Sequence, residues 1–157
     1  MDKTLELSLS PVKAQTGNAP AQAAIFFEGN PTGFVIDGVL LEAAIRVDER
    51  RFLMFVTDDI VYEEMLTILL LDLSRGIVDK LVIGSAYNSG CFEDLKVLSH
   101  SASFSFIGDT TWTVRVLPTP SLRLPFSDPH GVSRPAGLRK YIDVSANPPP
   151  ARANDSR

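Results

Sequence analysis

The stretch EMLTILLLDLSRGIVDKLVIG, Glu64–Gly84, decides how the chain folds. Leu66, Ile68, Leu69, Leu70, Leu71 and Leu73 precede Ser74-Arg75-Gly76, and Ile77, Val78, Leu81, Val82 and Ile83 follow it. Read as strands, these are two buried segments joined by a tight turn. The run Leu66–Leu71 is too continuous for a strand with one wet face and suits a central strand covered on both sides. A helix over about 60–75 competes with this reading. Asp59 would be its N-cap, Glu63 and Glu64 its first turn, Arg75 its last turn and Gly76 its C′ residue, and the fold would then be α+β. The neighbourhood favours strands, because short β-patterned segments recur every 8–12 residues with turn signals between them.

Upstream, Val39–Val47 alternates, with Val39, Leu41, Ala43, Ile45 and Val47 on one face. It pairs with Arg51–Thr57 across Asp48-Glu49-Arg50. Thr4–Ser10 alternates around Leu5, Leu7 and Leu9. Pro11–Gln22 reads as a loop, Ala23–Glu28 as a short strand ended by a turn at Gly29–Gly33, and Asp37-Gly38 as a hairpin turn. Downstream, Phe92–Ser99 and Ala102–Ile107 form a hairpin around Ser99-His100-Ser101. Thr111–Leu117 then brings Trp112, Val114 and Val116 beside Phe104 and Phe106. The expected fold is mainly β, an antiparallel meander forming a sandwich or open barrel. From Pro118 onward, Pro118, Pro120, Pro125, Pro129 and Pro135 predict an extended C-terminal strap anchored by Leu122, Leu124 and Phe126. One domain is expected over 1–144, with a disordered tail over 145–157.

At 157 residues the chain fits one core, and its 45% hydrophobic content matches an ordinary globular protein. The net charge of −4 hides a split. Residues 1–109 carry 16 acidic against 8 basic side chains, and residues 110–157 carry 3 against 7. An acidic body argues against nucleic acid as its ligand. No apolar run reaches membrane-spanning length, and MDKTLELSLSPVK lacks the apolar core of a signal peptide. A single cysteine, Cys91, suits a reducing compartment, so the expectation is a cytoplasmic protein with no membrane partner.

Motifs with a chemistry are missing from the sequence. Neither a phosphate-binding glycine pattern nor a nucleophile elbow occurs. His100 and His130 stand apart in turn-like sequence, without the ligand spacing zinc needs. Cys91 reads as a small buried hydrophobe. No catalytic residue, metal or cofactor is expected. The densest polar cluster is Asp58, Asp59, Glu63 and Glu64, with Tyr62 among them. It reads as an acidic partner-binding surface in which Tyr62 supplies an apolar anchor. A rival reading is a small enzyme or ligand carrier with a pocket inside the barrel, mouthed by Tyr87, Asn88 and His100. A third is a structural subunit that forms a homo-oligomer through an exposed edge strand.

Over Phe52–Leu117, about half of the chain, the segments FVTDD, YEE, LTILLLD, DKLVIG, CFEDL, FSF and WTVRV, with Tyr87, Gly90 and a trailing LRLPF, form a pattern. It resembles small bacterial β-rich proteins of the kind seen among immunity components of toxin systems. The resemblance implies a small, acidic, non-enzymatic protein that binds and neutralises a cognate toxin. It carries over no functional residue.

Overall fold

A computed structural model describes residues 1–58, 65–84 and 90–150. These residues form thirteen strands: β1 (Asp2–Lys3), β2 (Leu7–Lys13), β3 (Gln22–Phe27), β4 (Asn30–Asp37), β5 (Leu40–Arg46), β6 (Arg51–Thr57) and β7 (Leu66–Asp72), then β8 (Gly76–Ile83), β9 (Glu93–Val97), β10 (Ser101–Ser105), β11 (Thr111–Leu122), β12 (Val132–Ser133) and β13 (Arg139–Asn147). There is no helix among the described residues, so the fold is all-β and Leu66–Asp72 is a strand.

Pairing is antiparallel throughout. A six-stranded sheet has the order β1-β5-β6-β7-β8-β12, a four-stranded sheet β13-β11-β10-β9, and a three-stranded sheet β2-β3-β4. The six-stranded sheet is the middle of three layers, and successive residues of its central strands feed two cores. Leu53, Phe55, Leu66, Ile68 and Leu70 pack with Phe104, Trp112, Val114 and Ile142 of the four-stranded sheet. Phe52, Met54, Val56, Leu69 and Leu71 pack with Leu7, Ile25 and Ile36 of the three-stranded sheet. Each such side chain contributes about 1.5–3 kcal/mol through burial. The register Phe104↔Trp112 realises the aromatic pairing expected from sequence.

Local chemistry fixes the turns. Asp72, buried at the end of β7, accepts hydrogen bonds at Oδ1 from Ser74 N (2.9 Å) and Ser74 Oγ (2.7 Å). Gly76 follows with φ +94°, and a Cβ there would lie 3.0 Å from the Phe34 ring. Those Ser74 hydrogen bonds, foremost the side-chain one, hold the Asp72 carboxyl below its ordinary value of 3.8 despite burial.

Several expectations are corrected. β2 runs through Pro11 to Lys13, so the first part of Pro11–Gln22 is strand. Pro31 and Gly33 lie within β4, and the turn is Glu28-Gly29. Gly38, at φ +116°, does not close a hairpin; it carries the chain from the three-stranded to the six-stranded sheet. A register shift between Leu41 and Ala43 breaks the single face read over Val39–Val47, so Leu41 packs on one core while Ala43, Ile45 and Val47 pack on the other. Leu5 is fully exposed between β1 and β2. Cys91 is exposed, not buried. β13 continues through Asn147, three residues into the stretch read as tail, and residues 151–157 lie outside the described residues.

A charged cross-tie binds the outer strand β13 to β8. A register shift in β8 beside Val78 accompanies the turning of Asp79 toward β13, where Asp79 Oδ2 accepts from Tyr141 N (2.7 Å) and Ile142 N (2.8 Å). The Arg134 side chain, 2% exposed, grips Asp128 through Nε (2.9 Å) and Nη2 (3.2 Å). Nη2 also donates to Ile142 O (2.8 Å), and Nη1 lies 3.6 Å from Asp79 Oδ2. The segment before β13 is thereby tied to both sheets.

Two outcomes follow for stability, both read by chemical denaturation. Arg134→Ala strands two carboxylates and is expected to cost about 3–5 kcal/mol, and Arg134→Lys does not restore it because an ammonium cannot span three acceptors. Asp72→Ala is expected to cost about 1–3 kcal/mol at neutral pH. Because the folded carboxyl is the stronger acid, its ionisation adds stability that is fully present above pH 3.8, and this share is lost as pH falls from there through the lower folded pKa.

Candidate functional site

Of the acidic surface expected from sequence, Asp58 is described, and Asp59, Tyr62, Glu63 and Glu64 lie outside the described residues. Asp58 leaves the end of β6 half-buried beside Gly38, where an added Cβ would sit 3.7 Å from Asp58 Oδ1. Burial, and then the charge of Asp37, raise its pKa above the usual aspartate range. Asp37 itself accepts from Gln22 Nε2 at 3.2 Å. The fold therefore sets a second carboxylate beside Asp58, one that sequence reading did not single out. Asp37 and Asp58 are far apart in sequence, and only the crossover at Gly38 joins them.

Tyr87 and Asn88 also lie outside the described residues. His100 is exposed at the turn between β9 and β10 and lines a cleft of about 610 Å³ with Val47, Asp48, Arg51, Arg115 and Leu117. This cleft lies at the rim of the sandwich, whose interior is filled by the Phe55, Phe104 and Trp112 side chains. Its charges are matched locally: Arg51 Nε donates to Asp48 at 2.6 Å, and Arg115 lies 3.8 Å from Asp143. His130 is exposed. Among the described residues no group of three or more His, Cys, Asp or Glu side chains could hold a metal ion.

Comparison with protein-family models, with curated proteins and with solved structures finds no match. No helix among the described residues is long and apolar enough to cross a membrane.

The most unusual surface lies where the strap was expected to anchor. β11 bulges opposite Tyr141, with Leu117-Pro118-Thr119-Pro120 unpaired between Val116↔Ile142 and Ser121↔Lys140. Proline lacks the N–H a ladder needs, so a bulge accommodates both prolines. Beyond it Ser121–Leu122 pair with Arg139–Lys140, and Arg123 N donates to Leu138 O at 2.8 Å. This short tongue stands clear of the core. Leu122, Leu124 and Leu138 are 69%, 68% and 80% exposed, and Phe126 is wholly exposed. The expectation that Leu122, Leu124 and Phe126 anchor the strap is wrong: the anchor is Arg134. Arg123 Nη1 donates to Pro135 O (2.6 Å) and Gly137 O (3.0 Å) and braces the tongue from inside.

Phe126 is also strained. Leu124-Pro125-Phe126-Ser127 is a turn closed by Ser127 N and Oγ donating to Leu124 O (3.3 and 2.7 Å). Proline at the second position and φ +60° at the third have the layout of a type II turn, whose third position favours glycine. A phenylalanine there costs about 1–2 kcal/mol of backbone strain and buries nothing in return. Phe126→Gly is therefore expected to leave the fold intact and to stabilise it by up to about 1 kcal/mol, measured by thermal denaturation.

Proposed function

We propose that the chain is a non-enzymatic binding protein that acts by covering a protein partner. The observation that carries this reading is the tongue: four large apolar side chains held in water, one of them on a strained backbone that folding alone does not require. The surroundings of the ionisable groups support it. Asp72 holds a turn, Asp48 holds another through the N–H groups of Arg50 and Arg51, and Asp79, Asp128 and Arg134 tie strands together. These groups are occupied by structure.

The most specific form of the reading is an immunity protein that neutralises a bacterial toxin. The acidic body supports it, as do the paired carboxylates Asp37 and Asp58 at the head of the segment holding Asp59, Tyr62, Glu63 and Glu64. A basic cleft on the partner would offset the Asp37 repulsion that adds to burial in raising the Asp58 pKa, and would speed encounter. Expression beside each neighbouring gene tests it. One product is expected to arrest growth, and this chain to rescue it. Asp58→Asn is expected to weaken binding to that product about tenfold or more. Phe126→Asp is expected to abolish every contact made through the tongue while leaving the melting curve in place. Contacts that all survive Phe126→Asp remove the tongue from the binding reading. Absence of any toxic neighbour removes the immunity form alone.

A further inference from the structure

We infer that the tongue docks on a second copy of this chain, head to tail, in a groove at the opposite edge of the sandwich. This rests on the reading of the tongue as a binding surface and names its occupant.

The sheet orders place the two surfaces. In the middle sheet β1 and β5 lie at one end and β8 and β12 at the other; in the four-stranded sheet β9 lies at one end and β13, which touches β8, at the other. The tongue grows from the β8/β13 edge. At the β5/β9 edge a groove of about 350 Å³ is lined by Leu5, Glu42, Phe92, Glu93, Asp94 and Leu95, with Lys3 as its one cation among the described residues. Leu5 is fully exposed at its rim, and Phe92 and Leu95 are partly buried against the core. The groove thus offers apolar surface beneath three carboxylates.

The tongue carries the matching chemistry. Lys80, Arg123 and Arg139 line the hollow at its base, where Asp79, the acid among the described lining residues, already faces Arg134. Exposed Leu122 and Leu124 flank Arg123 in the chain, exposed Leu138 precedes Arg139, and exposed Phe126 follows at the next turn. An apolar and cationic projection on one edge and an apolar and anionic groove on the other are complementary, and the charge split between residues 1–109 and 110–157 has the same polarity. Because the two surfaces differ and lie on opposite edges, the contact is heterologous. Each added copy presents a fresh tongue and a fresh groove, so assembly is open-ended unless it closes into a ring.

Sedimentation velocity of the purified chain tests this at concentrations of about 1–300 μM and about 0.05 M salt. Species larger than a dimer are expected to grow with concentration and to dissociate as salt is raised toward about 0.5 M. Phe126→Asp is expected to weaken association about 30-fold or more, and Glu93→Arg with Asp94→Arg to do the same from the groove side. Leu124→Ser and Phe126→Gly guard against a folding artefact; both keep the fold, and Phe126→Gly raises the melting temperature while lowering association. The deciding experiment mixes a tongue-defective with a groove-defective variant. Equimolar Phe126→Asp and Glu93→Arg/Asp94→Arg should give a one-to-one dimer and nothing larger, since one working tongue meets one working groove. A chain that is monomeric at every concentration overturns the inference, as does association indifferent to Phe126→Asp or a symmetric dimer that mixing cannot restore. A monomer that instead adheres to anionic phospholipid vesicles, or pairs with a foreign protein lost on Phe126→Asp, overturns self-association and leaves the binding reading standing.

Discussion

Burial of β6 and β7 on both faces is the constraint from which the rest of this architecture follows. Phe52–Val56 in the first strand and Ile68–Leu71 in the second have no side open to water. Strands in that position need a layer above them and a layer below, and the chain supplies these from its two ends. Residues 7–37 form the three-stranded cover, and the strands β9, β10, β11 and β13 form the four-stranded one. The middle sheet is then settled residue by residue: odd and even positions are both apolar because each has its own core.

With both faces closed, the edges are where the backbone meets solvent. An antiparallel sheet exposes unpaired amides along its outer strands and invites uncontrolled pairing there. This fold ends its middle sheet in two-residue strands, β1 and β12, too short to template another chain. β13 is longer, and the cross-tie occupies it: Asp79 takes two successive N–H groups and Arg134 takes the carbonyl of Ile142. Buried charge is an expensive way to make a contact, and a pair of apolar side chains would hold the layers at least as well. A carboxylate and a guanidinium can do what apolar groups cannot, which is to fill the hydrogen-bonding sites of an edge.

The central part of this fold was legible in the sequence and the periphery was not, for one physical reason. Leu66–Leu71 reads as a doubly buried strand because burial leaves a compositional mark at every position. The strand Arg51–Thr57 and the Phe104↔Trp112 pairing are visible for the same reason. Leu122, Leu124 and Phe126 have the same period-2 spacing, yet they carry no core behind them, and alternation alone cannot say which face is wet. The one available signal was Pro125 followed by Phe126, since a turn with proline second favours glycine third. The bulge in β5 at Glu42 was hidden because it changes register without changing composition. Asp58 was singled out from sequence, but its partner Asp37 comes from another sheet and has no sequence neighbourhood in common with it. In the sequence Arg134 is one of seven basic residues over 110–157, and only the fold reveals that it is buried between two aspartates.

The edges that remain are unlike each other, and this gives the molecule a direction. At the β5/β9 edge, Glu42, Glu93 and Asp94 surround apolar surface; at the β8/β13 edge, Lys80, Arg123 and Arg139 do. Neither set is required by the cores, which are filled from within by uncharged side chains. Charges placed on opposite edges of a rigid slab cannot neutralise one another within one molecule, because the slab holds them beyond the screening length of ordinary salt, about 8–10 Å. They can meet between molecules. Phe126, at φ +60° and wholly exposed, adds a strained apolar side chain to the β8/β13 edge, and strain of this kind often marks a functional surface. A scaffold with a filled interior and oppositely charged edges supports the proposed reading, in which this molecule acts through contact.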